Sequence, residues 1–479
     1  MKTRTTTLQL FVALLFAAAL SVQTVHAATI TVMNTNDSGA GSLRQALADA
    51  SDGDTIDFAA AVSGTITLTS GQLVVGKSVM ISGPGANVLA IDGNHASSVF
   101  QIDQGLTVTI SGLTITNGSG VGINNDHSTL TVSDSTLSGN SGNGILNYGA
   151  FTRSAMLTVT NSTLSGNSAS NAGGGIYNDG AINGNAMLRV TNSTLSGNSA
   201  PSGGGIYNDG TNSGSATLTI NNSTLSGNSA SASGGGISND NGLVTLVSTI
   251  LNAGASGANI DNVEGTVMSN GFNLSSDDAS AFLNQLTDQN STDPKLGPLR
   301  DNGGPTFTHG LFTGSPAIDK GANPLFLLTD QRGPGFPRVI GVETDVGAFE
   351  GVQPLVCPQG QGYWKNNPAA WPVTSLTLGG MTYSKSVLLK ILGTPVGKGP
   401  KADASLILAD QLIAAKLNIA NGTDGTPVSS TIMNADSLLT GHPVGSHVKP
   451  SSSIGQAMVN DANVLNNFNN GLLTLGCGL

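Results

Sequence analysis

The chain has 479 residues, of which 65 are glycine, only 10% are charged and 4% are aromatic, and its formal net charge is −11. This length exceeds one ordinary domain, and the low charged fraction excludes a coiled coil, which needs abundant Glu, Lys and Arg. Between Lys77 and Lys295 the only basic side chains are Arg153 and Arg189. Nucleic acid is therefore not expected as a partner, because no basic track exists to neutralise phosphates.

The first residues have the pattern of a bacterial signal peptide at positions 1–27. Lys2 and Arg4 precede a nearly continuous apolar run at 8–20, and the small-residue site Val-His-Ala follows at 25–27. The pattern predicts a secreted or cell-surface protein. No second long apolar run follows, so no transmembrane helix is expected after cleavage.

The chain has two cysteines, Cys357 and Cys477. Export permits thiol oxidation, so we predict a disulfide that closes the C-terminal part of the chain. Two free buried thiols are the alternative.

The central part of the chain is a repeat. Four near-identical LTVTNSTLSGNS-like segments, with a weaker copy on each side, begin 24 to 31 residues apart. Apolar residues alternate within each copy, as at Leu157 and Val159, which is the strand period of two. A second short strand follows in GGGIYND and GGGISND. Stacked short strands at this period predict a parallel β-helix.

Asparagines recur at equivalent positions of successive copies. Stacked amides can donate to one coil and accept from another, so we expect ladders, with a ligand-binding stripe as the alternative. The ladder positions are Asn167, Asn198 and Asn228, and Asn178, Asn208 and Asn239. The copies differ in length after the Asn-Asp pair, at 181–186 and 211–216, which predicts loops on one face as the contact surface.

These repeats resemble those of right-handed parallel β-helix proteins of the pectin-lyase-like superfamily. They are more similar to the repeats of polymorphic outer-membrane adhesins than to the lyases. The resemblance implies an all-β solenoid, a fold that hosts both enzymes and adhesins.

Before the repeats, Ser42 is placed to N-cap a short amphipathic helix whose apolar side contains Leu43, Ala46 and Leu47. We expect this helix to cap the first coil, because a solenoid exposes its core at each end.

After the repeats come DPKLGPL, DNGGPTFTHGL, GSPAIDKG, TDQRG and TDVGAFE. These motifs resemble the choice-of-anchor Q domain. The resemblance implies a segment that closes the β-helix of a surface or secreted protein, and it implies no activity.

The C-terminal part of the chain is predicted to be mainly helical, with helices at 387–392, 404–420 and 454–465. Tyr363, Trp364 and Trp371 lie close together in CPQGQGYWKNNPAAWP and are candidates for a glycan platform. We favour a small helical core packed around these rings, with the glycan platform as the alternative. The predicted organisation is a signal peptide at 1–27, a β-helix at 28–292 with repeats at 106–260, a choice-of-anchor Q-like closing segment at 293–353, and a helical domain at 354–479.

Two groups of carboxylates are candidates for chemistry. The first group follows the repeated asparagines and comprises Asp126, Asp179, Asp209 and Asp240. Aspartates in Asn-Asp-Gly sequences suit turns, and weak calcium binding by Asp179, Asp209 and Asp240 is the alternative. We expect no other cofactor.

The second group lies within the choice-of-anchor motifs and comprises Asp319, Asp330, Arg332, Asp345 and Glu350. We favour a structural pairing of arginine and carboxylates over an acid–base pair of a glycoside hydrolase. His442 and His447 have no further metal ligands near them in sequence, which favours a surface pair.

The favoured function is adhesive or structural, with a polysaccharide, a matrix or a partner cell surface as the ligand. A carbohydrate-active enzyme, a lyase or a hydrolase, is the alternative, and a purely architectural spacer remains open. The sequence favours a protein without catalytic activity, because no repeat combines clustered carboxylates with a basic side chain.

Overall fold

The computed structural model describes residues 27–353, 356–423, 425–474 and 477. The predicted signal peptide lies outside the described residues except for its last position. Within the described ranges, no helix has the length and apolar character that crossing a membrane requires.

Residues 29–275 form a parallel β-helix in which each complete coil contributes one strand to each of three parallel sheets. Sheet 1 contains Thr29–Val32, Thr55–Phe58, Met80–Ser82, Thr107–Ser111, Thr129–Ser133, Ser154–Thr160, Asn185–Thr191, Ser215–Asn221, Leu243–Val247 and Thr266–Ser269. Sheet 2 contains Gly64–Thr67, Leu89–Asp92, Thr114–Thr116, Thr136–Ser138, Thr163–Ser165, Thr194–Ser196, Thr224–Ser233, Ile250–Ala253 and Leu274–Ser275. Ser199–Ser202 pairs with the C-terminal half of Thr224–Ser233. Sheet 3 contains Leu73–Val75, Phe100–Ile102, Ile123–Asp126, Ile145–Tyr148, Ile176–Asp179, Ile206–Asp209, Ile237–Asp240 and Ile260–Val263.

The strand pattern of the sequence produces this architecture directly. In one coil, Leu157, Leu164 and Ile176 point inward from the three sheets and are fully buried. Asn161 has a φ of 50° at the bend between sheets 1 and 2, a left-handed conformation that asparagine tolerates better than most residues. The parallel β-helix predicted from the repeats is confirmed.

The glycines before sheet 3 allow the coils to approach closely. A Cβ atom added at Gly175 would lie 2.5 Å from the carbonyl oxygen of Gly205 in the next coil, and one at Gly205 would lie 2.4 Å from that of Gly236. No larger residue fits there without displacing the backbone.

The helix predicted near the N-terminus is present as Leu43–Asp49, and the Ser42 side chain accepts a hydrogen bond from Gln45 N. Leu43, Ala46 and Leu47 join the hydrophobic core of the solenoid. The role of this helix as a cap stays a prediction.

The sequence did not predict the position of residues 293–353, which are called the flanking segment below. Their strands are Leu296–Arg300, Thr308–Phe312 and Val352–Gln353. The outward hydroxyls of sheet 2 hold them: Thr163 Oγ1 donates to Phe307 O at 2.6 Å, and Thr194 Oγ1 donates to Gln331 Oε1 at 2.6 Å. The segment therefore runs along the side of the solenoid, because the column of threonines offers it hydrogen-bond partners in successive coils.

The C-terminal region is mainly helical, as predicted. Its helices are Gln361–Asn366, Lys385–Gly393, Ala404–Ala420, Ser429–Gly441 and Ser453–Asn469, with 3-10 turns at Pro368–Ala370, Gly399–Lys401 and Thr426–Val428 and a hairpin of Ser375–Leu378 and Met381–Ser384. The disulfide between Cys357 and Cys477 is present, which confirms the predicted pairing. The sequence did not predict the first and fourth helices, because one is very short and the other has only two buried side chains.

Candidate functional site

The outer surface of sheet 3 carries a group of polar and aromatic side chains that are in register from coil to coil. The six strands of sheet 3 from Ile123–Asp126 to Ile260–Val263 read Ile-x-Asn-x, and the Ile and Asn side chains point inward because strand side chains alternate. The second and fourth residues point outward. We define the tyrosine–aspartate face as the outward residues Asp126, Tyr148, Tyr177, Asp179, Tyr207, Asp209 and Asp240.

Register places these side chains in two columns that run along the solenoid. Tyr177 pairs with Tyr207 in the next coil. Asp179 pairs with Asp209, and Asp209 with Asp240. Parallel strands are about 4.8 Å apart, so the face presents a repeating polar unit along a line.

The tyrosines link one coil to the next. Tyr177 Oη donates to Asp209 Oδ2 at 2.9 Å, and Tyr207 Oη donates to Asp240 Oδ2 at 3.2 Å. The rings of Tyr177 and Tyr207 are in an edge-on arrangement with centroids 5.2 Å apart. Both rings remain partly exposed.

The aspartates also shape the turns that follow their strands. Asp179 Oδ1 accepts from Ala181 N at 3.1 Å, and Asp209 Oδ1 accepts from Thr211 N at 3.0 Å. These are Asx turns, the role that the Asn-Asp-Gly sequences predict. The variable loops at 181–186 and 211–216 begin at these turns and border the face.

Burial controls the protonation behaviour of the face. Removal from water raises the pKa of Asp179, and the charge of Asp209 adds to this increase. Burial also raises the pKa of Asp240 and the pKa values of Tyr177 and Tyr207, which lie beside these carboxylates. The tyrosines are therefore hydrogen-bond donors at neutral pH.

One end of the face is aromatic. The rings of His127 and Tyr148 are edge-on with centroids 4.9 Å apart, and Phe151 follows at 6.2 Å from Tyr148. His127 Nδ1 contacts Asp126 Oδ1. Phe151 is about half exposed, so this end offers an accessible apolar ring.

The calcium alternative does not fit this geometry. Asp179, Asp209 and Asp240 are in register, but turn amides or tyrosine hydroxyls already occupy at least one carboxylate oxygen of each. Among the described residues, no group of three or more His, Cys, Asp or Glu is arranged to hold a metal ion.

The ladder asparagines lie inside the solenoid. Asn167 Nδ2 donates to Asn198 Oδ1, and Asn198 Nδ2 donates to Asn228 Oδ1, both at 2.9 Å. A second ladder joins Asn178 to Asn208 and Asn208 to Asn239, each through an Nδ2-to-Oδ1 hydrogen bond of 2.7 Å. All six are buried, so the ligand-binding stripe is wrong: these amides bind one another and contact no solvent.

The second carboxylate group is a buried network in the flanking segment. Arg332 Nε and Nη2 both donate to Asp330 Oδ2, at 3.0 and 2.5 Å. The guanidinium lies between the rings of Phe336 and Phe349, 4.1 and 3.9 Å from their centroids. This is the structural pairing that the sequence favours.

The remaining members complete that network. Glu350 accepts from Ile340 N and Asp345 N, both at 2.9 Å, and burial raises its pKa to about 7. Asp319 N donates to Asp345 Oδ1 at 2.8 Å. Asp330, Asp345 and Glu350 are almost fully buried, so an acid–base pair acting on a sugar is wrong here.

The glycan platform at the C-terminal tryptophans is also wrong. Trp364 and Trp371 are 1% and 8% exposed, and they belong to the core of the helical region. Their indole N–H groups donate to Asn418 Oδ1 and Trp364 O. Only Tyr363 is exposed, so no pair of ring faces is accessible to a sugar. His442 and His447 do not assemble a metal site within the described ranges.

Sequence reasoning missed the tyrosines and His127. The repeated IYND could have revealed Tyr177 and Tyr207, because its second position alternates with buried Ile and Asn and must point outward. Nothing in the local sequence connects His127 with Tyr148, because the two rings meet only when the next coil stacks on the first.

No protein-family model matches this chain, and no curated protein matches it either. Among solved structures, the chain is similar to the crystal structure of pectate lyase Pel9A, at 15% identity over 68% of this chain and 97% of that chain, with a TM-score of 0.35.

Proposed function

We propose that this protein is exported and binds a polysaccharide along the tyrosine–aspartate face, in an adhesive or structural role. The observation that carries the proposal is the repeating Tyr–Asp pairing from coil to coil. Aromatic rings provide apolar surface with a polar tip, and carboxylates accept hydrogen bonds from hydroxyl groups. A row of such units suits an extended chain of sugars better than a small molecule.

The charge of the face favours a neutral polysaccharide. Four aspartates lie on it, and no described strand of sheet 3 contains a lysine or an arginine. A polyuronate would bring carboxylates against carboxylates in partly buried positions, where like charges repel.

Export is supported by the signal-peptide pattern at 1–27 and by the disulfide between Cys357 and Cys477, because disulfides persist in oxidising compartments. The resemblances to choice-of-anchor Q domains and to adhesin repeats imply a location at the cell surface.

The test is retention of the mature protein on immobilised neutral β-glucan, xylan and polygalacturonate. We expect retention on a neutral column and none on polygalacturonate. The Tyr177→Ala/Tyr207→Ala double variant should bind about tenfold more weakly, because burying about 60 Å² of apolar ring surface against a sugar contributes about 1.5 kcal/mol, roughly a factor of ten. Tyr363→Ala, which removes an exposed tyrosine elsewhere, is the matched control.

Equal retention of the double variant and the control would reject this face as the binding site. The same samples should be assayed for new reducing ends and for unsaturated products. Their appearance would replace the binding role with the carbohydrate-active enzyme.

A further inference from the structure

A groove of about 570 Å³ lies between sheet 2 and the flanking segment, away from the tyrosine–aspartate face. Ser196 and Ser226 line its solenoid wall, and Lys295 and His309 line the opposite wall. The groove exists because the flanking segment covers the threonine column of sheet 2 and leaves the neighbouring serine column uncovered.

Within the groove, one serine meets a histidine. Ser196 Oγ is 2.9 Å from His309 Nε2, and His309 Nδ1 is 2.7 Å from Gly297 O. A carbonyl oxygen only accepts, so Nδ1 carries the proton of the neutral ring and Nε2 presents its lone pair to the Ser196 hydroxyl. His309 is only 8% exposed, which holds the ring in this orientation.

Neighbouring coils have the same serine without the histidine. Ser165 and Ser226 pair in register with Ser196 in the coils on either side. Ser226 Oγ instead accepts from Asn252 Nδ2 at 3.0 Å. The repeat thus explains the presence of a serine at this position, but it does not explain the base beside Ser196.

We propose that Ser196 and His309 form a nucleophile–base pair that hydrolyses O-acyl esters. A nucleophile, a base within hydrogen-bond distance and a group that orients the base are the minimum for such chemistry. Gly297 O is the orienting group. Lys295 supplies the positive charge in the groove that stabilises the oxyanion.

The reaction balances with water as the co-reactant. Ser196 Oγ bonds to the ester carbonyl carbon while its proton passes to His309 Nε2. The ester C–O bond then breaks, and the imidazolium returns the proton to the departing alcohol. A water molecule, deprotonated by the same nitrogen, attacks the acyl-serine, and release of the acid regenerates the Ser196 hydroxyl.

The first test is labelling of the full-length mature protein with a fluorophosphonate, followed by mass spectrometry of its peptides. We expect an adduct on Ser196 and none on Ser165 or Ser226. Hydrolysis of p-nitrophenyl acetate is measured in parallel. General-base catalysis contributes about 10²- to 10⁴-fold, so Ser196→Ala and His309→Gln should each lower the rate at least tenfold.

Ser165→Ala is the matched control from the same column, lies outside the residues that line the groove, and should retain wild-type labelling and rate. His309→Gln keeps a polar atom near the Nε2 position, so we expect this variant to fold. Circular dichroism checks that it does. The proposal is overturned if Ser196 is not labelled, if labelling survives His309→Gln, or if all variants hydrolyse the ester equally. None of these outcomes affects the binding proposal, because the two sites are on different sheets.

Discussion

Tyr177 Oη donates a 2.9 Å hydrogen bond to Asp209 Oδ2, which belongs to the next coil of the solenoid. The backbone ladder already joins these coils, so this bond adds a side-chain link on the outer surface. It also fixes the tyrosine ring beside the carboxylate, which is the geometry that the proposed glycan site requires.

Replacing Tyr177 with phenylalanine removes this bond and keeps the ring. We expect the free energy of unfolding to fall by about 1 kcal/mol, because a net hydrogen bond contributes about 0.5–1.5 kcal/mol. Urea denaturation followed by circular dichroism measures the change. Tyr363→Phe, at an exposed position of the helical region, should leave the unfolding midpoint unchanged, and equal shifts in both variants would contradict this assignment.

Replacing Asn178 with alanine should be more severe. Asn147 Nδ2 donates to Asn178 Oδ1, and Asn178 Nδ2 donates to Asn208 Oδ1, both at 2.7 Å. The substitution leaves two buried amide groups without these partners, and each unsatisfied group costs about 1–3 kcal/mol. We expect a loss of at least about 2 kcal/mol in the same denaturation assay. Asn366→Ala, an exposed asparagine, is the control, and a comparable loss there would argue against the ladder as a source of stability.

The helical region should lose stability as pH rises, through Asp410. Burial raises the pKa of Asp410 to about 7, although the charge of Lys365 opposes the increase. The folded state therefore binds this proton more tightly than the unfolded chain does, where the pKa is near 3.8. Stability falls as pH rises from about 4 to about 7 and then levels off.

The measurement compares unfolding midpoints of the wild type and Asp410→Asn at pH 4 and pH 8. The variant should be more stable than the wild type at pH 8, and this advantage should disappear at pH 4. Both proteins contain Glu350, so its contribution to the pH dependence of stability cancels in the comparison. An advantage of the same size at both values would show that Asp410 does not titrate in this range.

The disulfide should stabilise the helical region selectively. Cys357 and Cys477 are 120 residues apart, and closing a loop of that length is worth about 4–5 kcal/mol in the chain-entropy model. The double variant Cys357→Ser/Cys477→Ser should therefore undergo proteolysis in the helical region at a lower temperature than the wild type. Peptide mapping should show the solenoid intact at that temperature. Early cleavage within the repeats would contradict a local effect.

Parts of this structure were predictable because they depend on local patterns. The alternation around Leu157 identifies strands, and the repeat period makes those strands stack. Helix Ala404–Ala420 was predicted with its observed bounds, because a long run of helix-forming residues ends where glycine follows. In contrast, the sequence left two interpretations of Trp364 and Trp371 open, and packing against the central helix decides for the favoured one, a helical core.

The sequence by itself determined the solenoid, the direction of each side chain within its strands and the cysteine pairing. The strand period of two sets the side-chain directions, and the repetition makes the strands stack into a solenoid. Each of the two cysteines has only the other as a possible partner. Only the tertiary structure decided that the flanking segment lies beside sheet 2 and brings His309 to Ser196. These residues are 113 positions apart, and no local rule relates them, because their contact depends on how one segment docks onto a surface that all the coils build together.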